Sequence, residues 1–314
     1  MSQIWPGLVI KALSGFYSVE TDSGVVVCQL PGRLKRQRQN TDLVTVGDRV
    51  TISLNADGTG IIESIAERHS VLSRTRAAAG TRQLASDREQ VLVANLDQII
   101  IVTAMANPSP SLRKLDRFLV VAELNDLPAI VCVNKVDLTT LETAQAMFAI
   151  YEKIGYTVIY TSTKTGLGLK ALHDQLQGKI SVLTGSSGVG KSSLLNAVEM
   201  GLGLKVQAVS EATGKGLHTT RYAEMFPLPG GGYVADTPGI RGLALFDVEP
   251  SELDGYFREI APLVAGCSFS NCTHKHEPGC AVIAAVKRGD VAAERYESYL
   301  RLRDEHDTLE RDEY

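Results

Sequence analysis

The chain of 314 residues lacks the features that mark membrane and secreted proteins. No apolar run approaches the ~20 residues that a membrane-spanning helix needs. The N-terminus, Met-Ser-Gln-Ile-Trp-Pro, lacks the basic and then apolar layout of a secretory signal. We therefore expect a cytoplasmic protein.

The chain also contains few cysteines and has no excess of positive charge. The five cysteines are too few and too unevenly spread for a disulfide framework, and three of them fall between Cys267 and Cys280. In a cytosolic chain such clustering favours a metal site. The net charge of −4 gives the whole protein no attraction to nucleic acid, so binding to a polyanion would use local basic patches.

Residues 1–68 alternate apolar and polar positions in five short runs separated by glycine-bearing turns. This pattern predicts a small closed barrel of the OB type. A basic segment between the third and fourth strands contains no acid and four cations, which are Arg33, Lys35, Arg36 and Arg38. A solvated loop would explain the charges. On an OB barrel, RNA binding is the better interpretation.

The rest of the chain divides into three segments. Residues 69–97, rich in Arg, Ala and Ser without a clear period, are interpreted as a partly mobile connector. Residues 98–245 alternate apolar strand runs with helical patterns, which predicts an α/β domain with a parallel sheet covered on both faces. Residues 246–314 are helical in pattern, with segments at 250–264, 281–288 and 292–311.

A complete phosphate-binding loop follows the apolar run Ile180–Thr184 and precedes a helical run. Its glycines let backbone amides surround phosphates, and the helix N-terminus adds a favourable dipole. Lys191 is expected to reach the outer phosphates and the Ser192 hydroxyl to bind Mg²⁺. The predicted nucleotide contacts are Gly185, Ser186, Ser187, Gly188, Val189, Gly190, Lys191, Ser192 and Ser193.

Guanine specificity is predicted from Asn134-Lys135-Val136-Asp137, at the end of another apolar strand run. The Asp137 carboxylate can accept hydrogen bonds from the two donors of guanine, which adenine does not present; unpaired buried polar groups can reject an analogue by roughly 10⁴-fold. Asn134 would tie the loop together, and the Lys135 stem would cover the base. Ser162 and Thr163 belong to a supporting loop.

The nucleotide switches are predicted after the phosphate loop. Asp236-Thr-Pro-Gly239 follows a strand run, so Asp236 is expected near Mg²⁺ and the Gly239 amide near the γ-phosphate. Ile240 stands where Ras-like enzymes have the glutamine that orients water. His218 is the favoured replacement, and the alternative is a loop histidine without a catalytic role. Thr219 or Thr220 would ligate Mg²⁺, and the sequence leaves open which.

The order of these motifs is permuted, because an ordinary GTPase begins with the phosphate loop and ends with the guanine elements. Here the guanine elements come first, and the residues after Gly239 run into a separate C-terminal segment. A movement of the switch could therefore pass directly to that segment.

The cysteine cluster has the spacing Cys-x₄-Cys-x-His-x₅-Cys. Cys267, Cys272, His274 and Cys280 predict one closed structural Zn²⁺ site with no open position for catalysis. His276 is a competing ligand with a less natural spacing. Cys28 and Cys132 lie in apolar runs and are predicted to be core residues.

An OB-like N-terminal barrel, GTPase motifs in permuted order and this cysteine and histidine cluster occur together in the chain. Together they resemble the RsgA (YjeQ/YloQ) family of circularly permuted GTPases. The segment Cys272-Thr-His-Lys-His-Glu-Pro-Gly-Cys280, the loop Gly214-Lys-Gly-Leu-His218-Thr-Thr and the apolar Ile240 resemble that family most specifically. The resemblance implies a monomer that binds the 30S subunit and its 16S rRNA late in maturation. It also implies that the subunit stimulates hydrolysis of GTP to GDP.

Two other functions are weighed against this one. A nucleotide-gated RNA-binding scaffold would bind in a GTP-dependent way without acceleration of hydrolysis by RNA. A metal-insertion GTPase is disfavoured, because a closed four-ligand site is unsuited to metal transfer.

Overall fold

The computed structural model describes residues 4–32, 44–75, 89–200, 224–236 and 250–312. The chain forms two compact units. The first comprises Met1–Ile100, Leu169–Leu183 and Ser192–Gly242, and the second comprises Ile101–Gly168, Thr184–Lys191 and Leu243–Tyr314. Within the described ranges, no helix has both the length and the apolar surface required to cross a bilayer.

The N-terminal part of the first unit is a barrel of five strands. They are β1 (Ile4–Leu13), β2 (Phe16–Thr21), β3 (Gly24–Gln29), β4 (Arg49–Leu54) and β5 (Gly60–Ile65). β1 pairs antiparallel with both β2 and β4, and a parallel pair of β3 with β5 closes the ring. The predicted closed barrel is confirmed. Its core includes Val9, Val19, Ile52 and Ile62, together with Cys28, as predicted.

The segment interpreted from the sequence as a partly mobile connector contains two strands. β6 (Val71–Thr75) and β7 (Glu89–Ala94) form an antiparallel pair, in which Leu72 and Val93 are fully buried. Asn95, just after β7, donates to the Gly47 carbonyl at 2.9 Å and accepts from the His69 amide at 3.0 Å. Asn95 thereby joins the two ends of the segment to each other and attaches them to the loop that precedes β4. The two strands were not predicted, because their apolar residues form two separate short runs without a visible period.

The rest of the first unit contributes further strands and two helices. They are the first residues of β8 (Gln98–Ala104), α3 (Leu169–Leu176), β11 (Ile180–Thr184), α4 (Lys191–Met200), β12 (Glu224–Pro227) and β13 (Tyr233–Asp236). β11 is parallel to β13, as predicted. β12, which the sequence patterns did not reveal, is antiparallel to β13 and also to β1 of the barrel. Its short length left no recognisable period, and it corrects the expectation of an entirely parallel sheet.

The second unit begins with the rest of β8 and continues through α1 (Leu112–Leu124), β9 (Ala129–Asn134), α2 (Leu141–Lys153) and β10 (Thr157–Tyr160). Every residue of β8 and β9 is buried, as expected for strands covered on both faces. β9 and β10 are parallel. Ser111 caps α1 by accepting the Lys114 amide, and Thr140 caps α2 in the same way.

The C-terminal part of the second unit is helical, as predicted, but its first segment is not an α-helix. Two short 3₁₀ helices, Leu253–Tyr256 and Ala261–Gly266, replace the expected helix over 250–264. They are followed by α5 (Ala281–Arg288) and α6 (Ala293–Asp312). Gly255 and Pro262 interrupt the helical pattern, which explains the tighter and shorter turns.

Candidate functional site

The phosphate-binding loop has the predicted surroundings, since β11 ends at Thr184 and α4 begins at Lys191. Two of its glycines are required by geometry. Gly185 has φ +136°, and a Cβ there would lie 2.1 Å from the Val102 carbonyl oxygen. Gly190 has φ +98°, and its Cβ would lie 2.4 Å from the Asn134 side-chain nitrogen. Side chains would therefore deform this loop.

Lys191 points back over the loop from the start of α4. Its ammonium donates hydrogen bonds to the carbonyls of Gly185 at 2.8 Å and Ser186 at 2.9 Å. The Lys191 ammonium is thereby held against the loop backbone. A phosphate-loop lysine in this position can reach an oxygen of a bound phosphate.

The guanine motif is joined to the phosphate loop through the two side chains at its start. Asn134, 1% exposed, donates from Nδ2 to the Val189 carbonyl at 2.9 Å. Lys135 donates to the Gly188 carbonyl at 2.7 Å. The expected role of Asn134 in tying the loops together agrees with this geometry. The Lys135 contact was not foreseen, because spacing alone does not show which loops meet.

Asp137 faces the supporting loop. Buried Ser162 donates its hydroxyl to Asp137 Oδ1 at 2.6 Å and accepts the Lys164 and Thr165 amides, each at 3.2 Å. Within the described part of the chain, no group donates a hydrogen bond to the second carboxylate oxygen of Asp137. The carboxylate is therefore fixed on one side and retains accepting capacity for a base. Thr163 is exposed beside Ser162.

The remaining predicted nucleotide residues are placed as follows. Ser192 and Ser193 lie in the first turn of α4, and Asp236 is the last residue of β13. All three belong to the first unit. Eight further predicted site residues lie outside the described residues: Arg33, Lys35, Arg36, Arg38, His218, Thr219, Thr220 and Gly239.

The second unit also contains the predicted metal cluster. Cys267, Cys272, His274 and Cys280 place their ligand atoms within 4.8 Å of one another, and His276 is not a member. Cys267 Sγ and Cys280 Sγ are 3.9 Å apart, and His274 Nδ1 lies 3.6 Å and 3.3 Å from them. A tetrahedral Zn²⁺ with ordinary bond lengths separates two sulfurs by about 3.8 Å and a sulfur from a nitrogen by about 3.6 Å. The donor set fits zinc in its chemistry, and the distances among Cys267, His274 and Cys280 are close to this spacing.

Polar contacts hold the metal loop in place. Glu277 accepts the amides of Thr273 at 2.6 Å and Lys275 at 2.9 Å. Burial alone would raise the pKa of Glu277, but hydrogen bonds from the Thr273 hydroxyl and amide hold it well below its usual value. In the sequence, Glu277 stands out only as one residue of the segment Cys272–Cys280, which resembles a family motif. Its structural role could have been inferred only from the tight turn around it.

The thiols of the cluster differ in acidity. Burial raises the pKa of Cys272 to about 12. Burial also acts on Cys280, but the Ile283 amide and His274 outweigh it and lower the pKa of that thiol. A cation that binds all three sulfurs as thiolates would therefore displace at least one proton.

Comparison with protein families assigns both the N-terminal barrel and the nucleotide domain. A model of the RsgA N-terminal domain matches residues 6–62, and a model described as RsgA GTPase matches residues 65–246, more than half of the chain. The chain belongs to the RsgA GTPase family.

Curated relatives support the assignment over nearly the whole length. A protein named small ribosomal subunit biogenesis GTPase RsgA from Gemmatimonas aurantiaca is 46% identical over 95% of this chain and 96% of its own. A protein of the same name from Bacteroides fragilis is 42% identical over 94% and 95%.

Two solved RsgA-type structures share the fold. YjeQ from Thermotoga maritima has a TM-score of 0.78 and 36% identity, with coverage of 96% of this chain and 98% of that one. YloQ, described as a circularly permuted GTPase, has a TM-score of 0.73 and 33% identity, with coverage of 96% and 95%. This RsgA-family chain is thus a GTP hydrolase with a circularly permuted nucleotide domain, in which β9 and its guanine motif precede β11 and the phosphate loop.

Proposed function

We propose that this RsgA-family GTPase binds the small ribosomal subunit late in its maturation and hydrolyses GTP to GDP under stimulation by that subunit. The supporting observation is the 46% identity, over 95% of the chain, to a protein named for small-subunit biogenesis. GTP would act as a timer, in which ordered switches favour docking and hydrolysis favours release. We propose that the protein acts in the cytoplasm as a monomer.

The nucleotide would be held by the two loops that Asn134 and Lys135 join. Asp137 would accept from guanine, and Lys191 would exchange its contacts with loop carbonyls for phosphate oxygens. The Ser192 hydroxyl, the Asp236 carboxylate and one hydroxyl of Thr219 or Thr220 are the hard oxygen donors that Mg²⁺ requires. When bound, Mg²⁺ supplies charge neutralisation at the β- and γ-phosphates.

Water activation requires a group other than residue 240, because isoleucine offers no hydrogen bond. We propose that His218 orients the attacking water when the protein is bound to rRNA. His218→Ala should then retain GTP affinity and lose most of the subunit-stimulated turnover. Full stimulated turnover in this variant would exclude His218 from the reaction.

We propose that the basic segment with Arg33, Lys35, Arg36 and Arg38 contacts 16S rRNA. The organisation proposed is an RNA-binding barrel at 1–68, a connecting segment at 69–97, the GTPase domain at 98–245 and a zinc-binding helical domain at 246–314. Removal of a cation that neutralises one RNA phosphate should weaken binding and reduce the slope of log affinity against log salt by about 0.7–0.9.

Binding can be measured by co-sedimentation with purified 30S subunits, with 50S subunits as a control. We expect 30S binding with a non-hydrolysable GTP analogue and weaker binding with GDP. Changing Arg33, Lys35, Arg36 and Arg38 to Gln should weaken binding and its salt dependence. The matched control changes four exposed cations elsewhere to Gln: Lys170, Lys287, Arg288 and Arg301. If both variants lose the same affinity for 30S subunits, the effect of the basic segment is explained by net charge alone.

A further inference from the structure

The imidazole of His274 has different partners at its two nitrogens. Nδ1 faces the sulfurs of Cys280 at 3.3 Å and Cys267 at 3.6 Å, whereas Nε2 lies 3.0 Å from Asp254 Oδ2. The His274 side chain is fully buried. With one nitrogen facing the sulfurs, the other must find a hydrogen-bond partner inside the protein.

Asp254 comes from outside the cysteine loop, in the 3₁₀ helix Leu253–Tyr256. That helix is anchored by the fully buried side chains of Leu253 and Phe257 on either side of Asp254. The Phe257 ring packs edge-on against Tyr299 of α6, with centroids 5.5 Å apart. The carboxylate is therefore presented from a fixed position.

The backbone beneath the histidine is held from a third direction. The Tyr299 hydroxyl donates to the Thr273 carbonyl at 3.1 Å, and the Tyr296 hydroxyl donates to the His274 carbonyl. His274 itself has φ +58°, a left-handed conformation that non-glycine residues adopt only where surrounding contacts impose it. Main chain and ring are thus both constrained, and among the described residues only Asp254 contacts the ring nitrogen remote from the sulfurs.

We propose that Asp254 is a positioning residue for the zinc centre. Asp254 accepts a hydrogen bond from the Nε2–H group of His274. This contact keeps the Nδ1 lone pair directed at the position that the three sulfurs surround. A carboxylate behind a ligating histidine fixes its tautomer and ring orientation, and loss of such a partner typically costs 10–100-fold in metal affinity. The same contact links the 3₁₀ helix to the metal loop, so zinc would join two segments of the C-terminal region.

The test measures transfer of zinc from the loaded full-length protein to a chelator of known affinity. Asp254→Ala should weaken zinc retention by about 10–100-fold. Asp254→Asn, whose amide oxygen can still accept from Nε2, should recover much of that loss. Glu252→Ala is the matched control, because this exposed acid lies just before the same 3₁₀ helix and does not contact His274.

Substitution of Co²⁺ for zinc adds a spectroscopic measurement, since the visible absorption of cobalt reports ligand geometry. Asp254→Ala should shift the tetrahedral absorption band, and Asp254→Asn and Glu252→Ala should resemble the unmodified protein. Zinc retention and a cobalt spectrum unchanged in Asp254→Ala would overturn the proposal. An Asp254→Asn variant that retains zinc no better than Asp254→Ala would also overturn it, by assigning the effect to packing alone.

Discussion

Arg295 donates a hydrogen bond to Asp116 at 2.6 Å, and both side chains are 1% exposed. Arg295 belongs to α6 and Asp116 to α1, so the contact joins the C-terminal helix to the nucleotide domain within the second unit. Glu259 engages the same guanidinium at 2.6 Å and 3.1 Å, and Phe257 lies beneath it with its ring centre 4.5 Å away. The C-terminal helical region is thereby fixed to a helix of the nucleotide domain.

Removal of the arginine should destabilise this junction strongly. Arg295→Met leaves the buried carboxylates of Asp116 and Glu259 without their cation, and breaking such a pair costs about 3–5 kcal/mol. Urea unfolding followed by circular dichroism measures the change. The matched control is Arg288→Met, which removes an exposed partner of Asp290 and should cost less than about 1 kcal/mol. Similar losses in the two variants would contradict the importance of the buried junction.

A methyl group at Gly190 should damage nucleotide binding. Its Cβ would lie 2.4 Å from Asn134 Nδ2 and would disrupt the hydrogen bond from Asn134 to Val189. We expect Gly190→Ala to lose at least 10-fold in GDP affinity, measured with a fluorescent GDP analogue, which corresponds to about 1.4 kcal/mol.

Gly178→Ala is the control for Gly190→Ala. Gly178 also has a positive φ, +69°, but a Cβ there meets nothing within 4 Å. Both variants should lose about 1–2 kcal/mol of folding stability from the left-handed backbone. Only Gly190→Ala should lose nucleotide affinity, and equal affinities in the two variants would remove the steric explanation.

Replacement of Asp137 by Asn should change which base is bound. A carboxamide presents a donor as well as an acceptor, and xanthine has a carbonyl oxygen where guanine has the 2-amino group. Asp137→Asn should therefore weaken GDP binding by roughly 100-fold or more and bind XDP better than GDP. Competition between the two nucleotides measures this, and an unchanged preference for GDP would show that Asp137 does not contact the base.

The sequence predicted features that depend on neighbouring residues along the chain. The strand, glycine loop and helix at 180–200 and the strand before Asn134 follow from local periodicity and turn chemistry. The four candidate metal ligands were recognised from their spacing, because cysteine and histidine are scarce in this chain and their clustering is informative. These local signals predicted the closed barrel and the parallel strands of the nucleotide domain, but not the antiparallel strand β12.

Long-range contacts were not predictable. Arg295 lies in a helix so rich in charge that it resembles a solvated surface, and its partner Asp116 is 179 residues away. Asp254 belongs to no sequence motif, and its proposed role depends on the packing that brings it to His274. β12 has only four residues, and its own sequence does not indicate a strand. Its extended conformation is stabilised by pairing with β1 and β13.

The proposed function depends on the small ribosomal subunit as the trigger of this GTPase. The most direct measurement is steady-state GTP turnover by the purified protein, alone and with 30S or 50S subunits, at fixed salt and Mg²⁺ concentrations. We expect slow turnover by the protein alone and a large acceleration by 30S but not by 50S subunits. Equal turnover with and without 30S subunits, despite GTP-dependent binding to them, would contradict it and identify a nucleotide-gated scaffold instead.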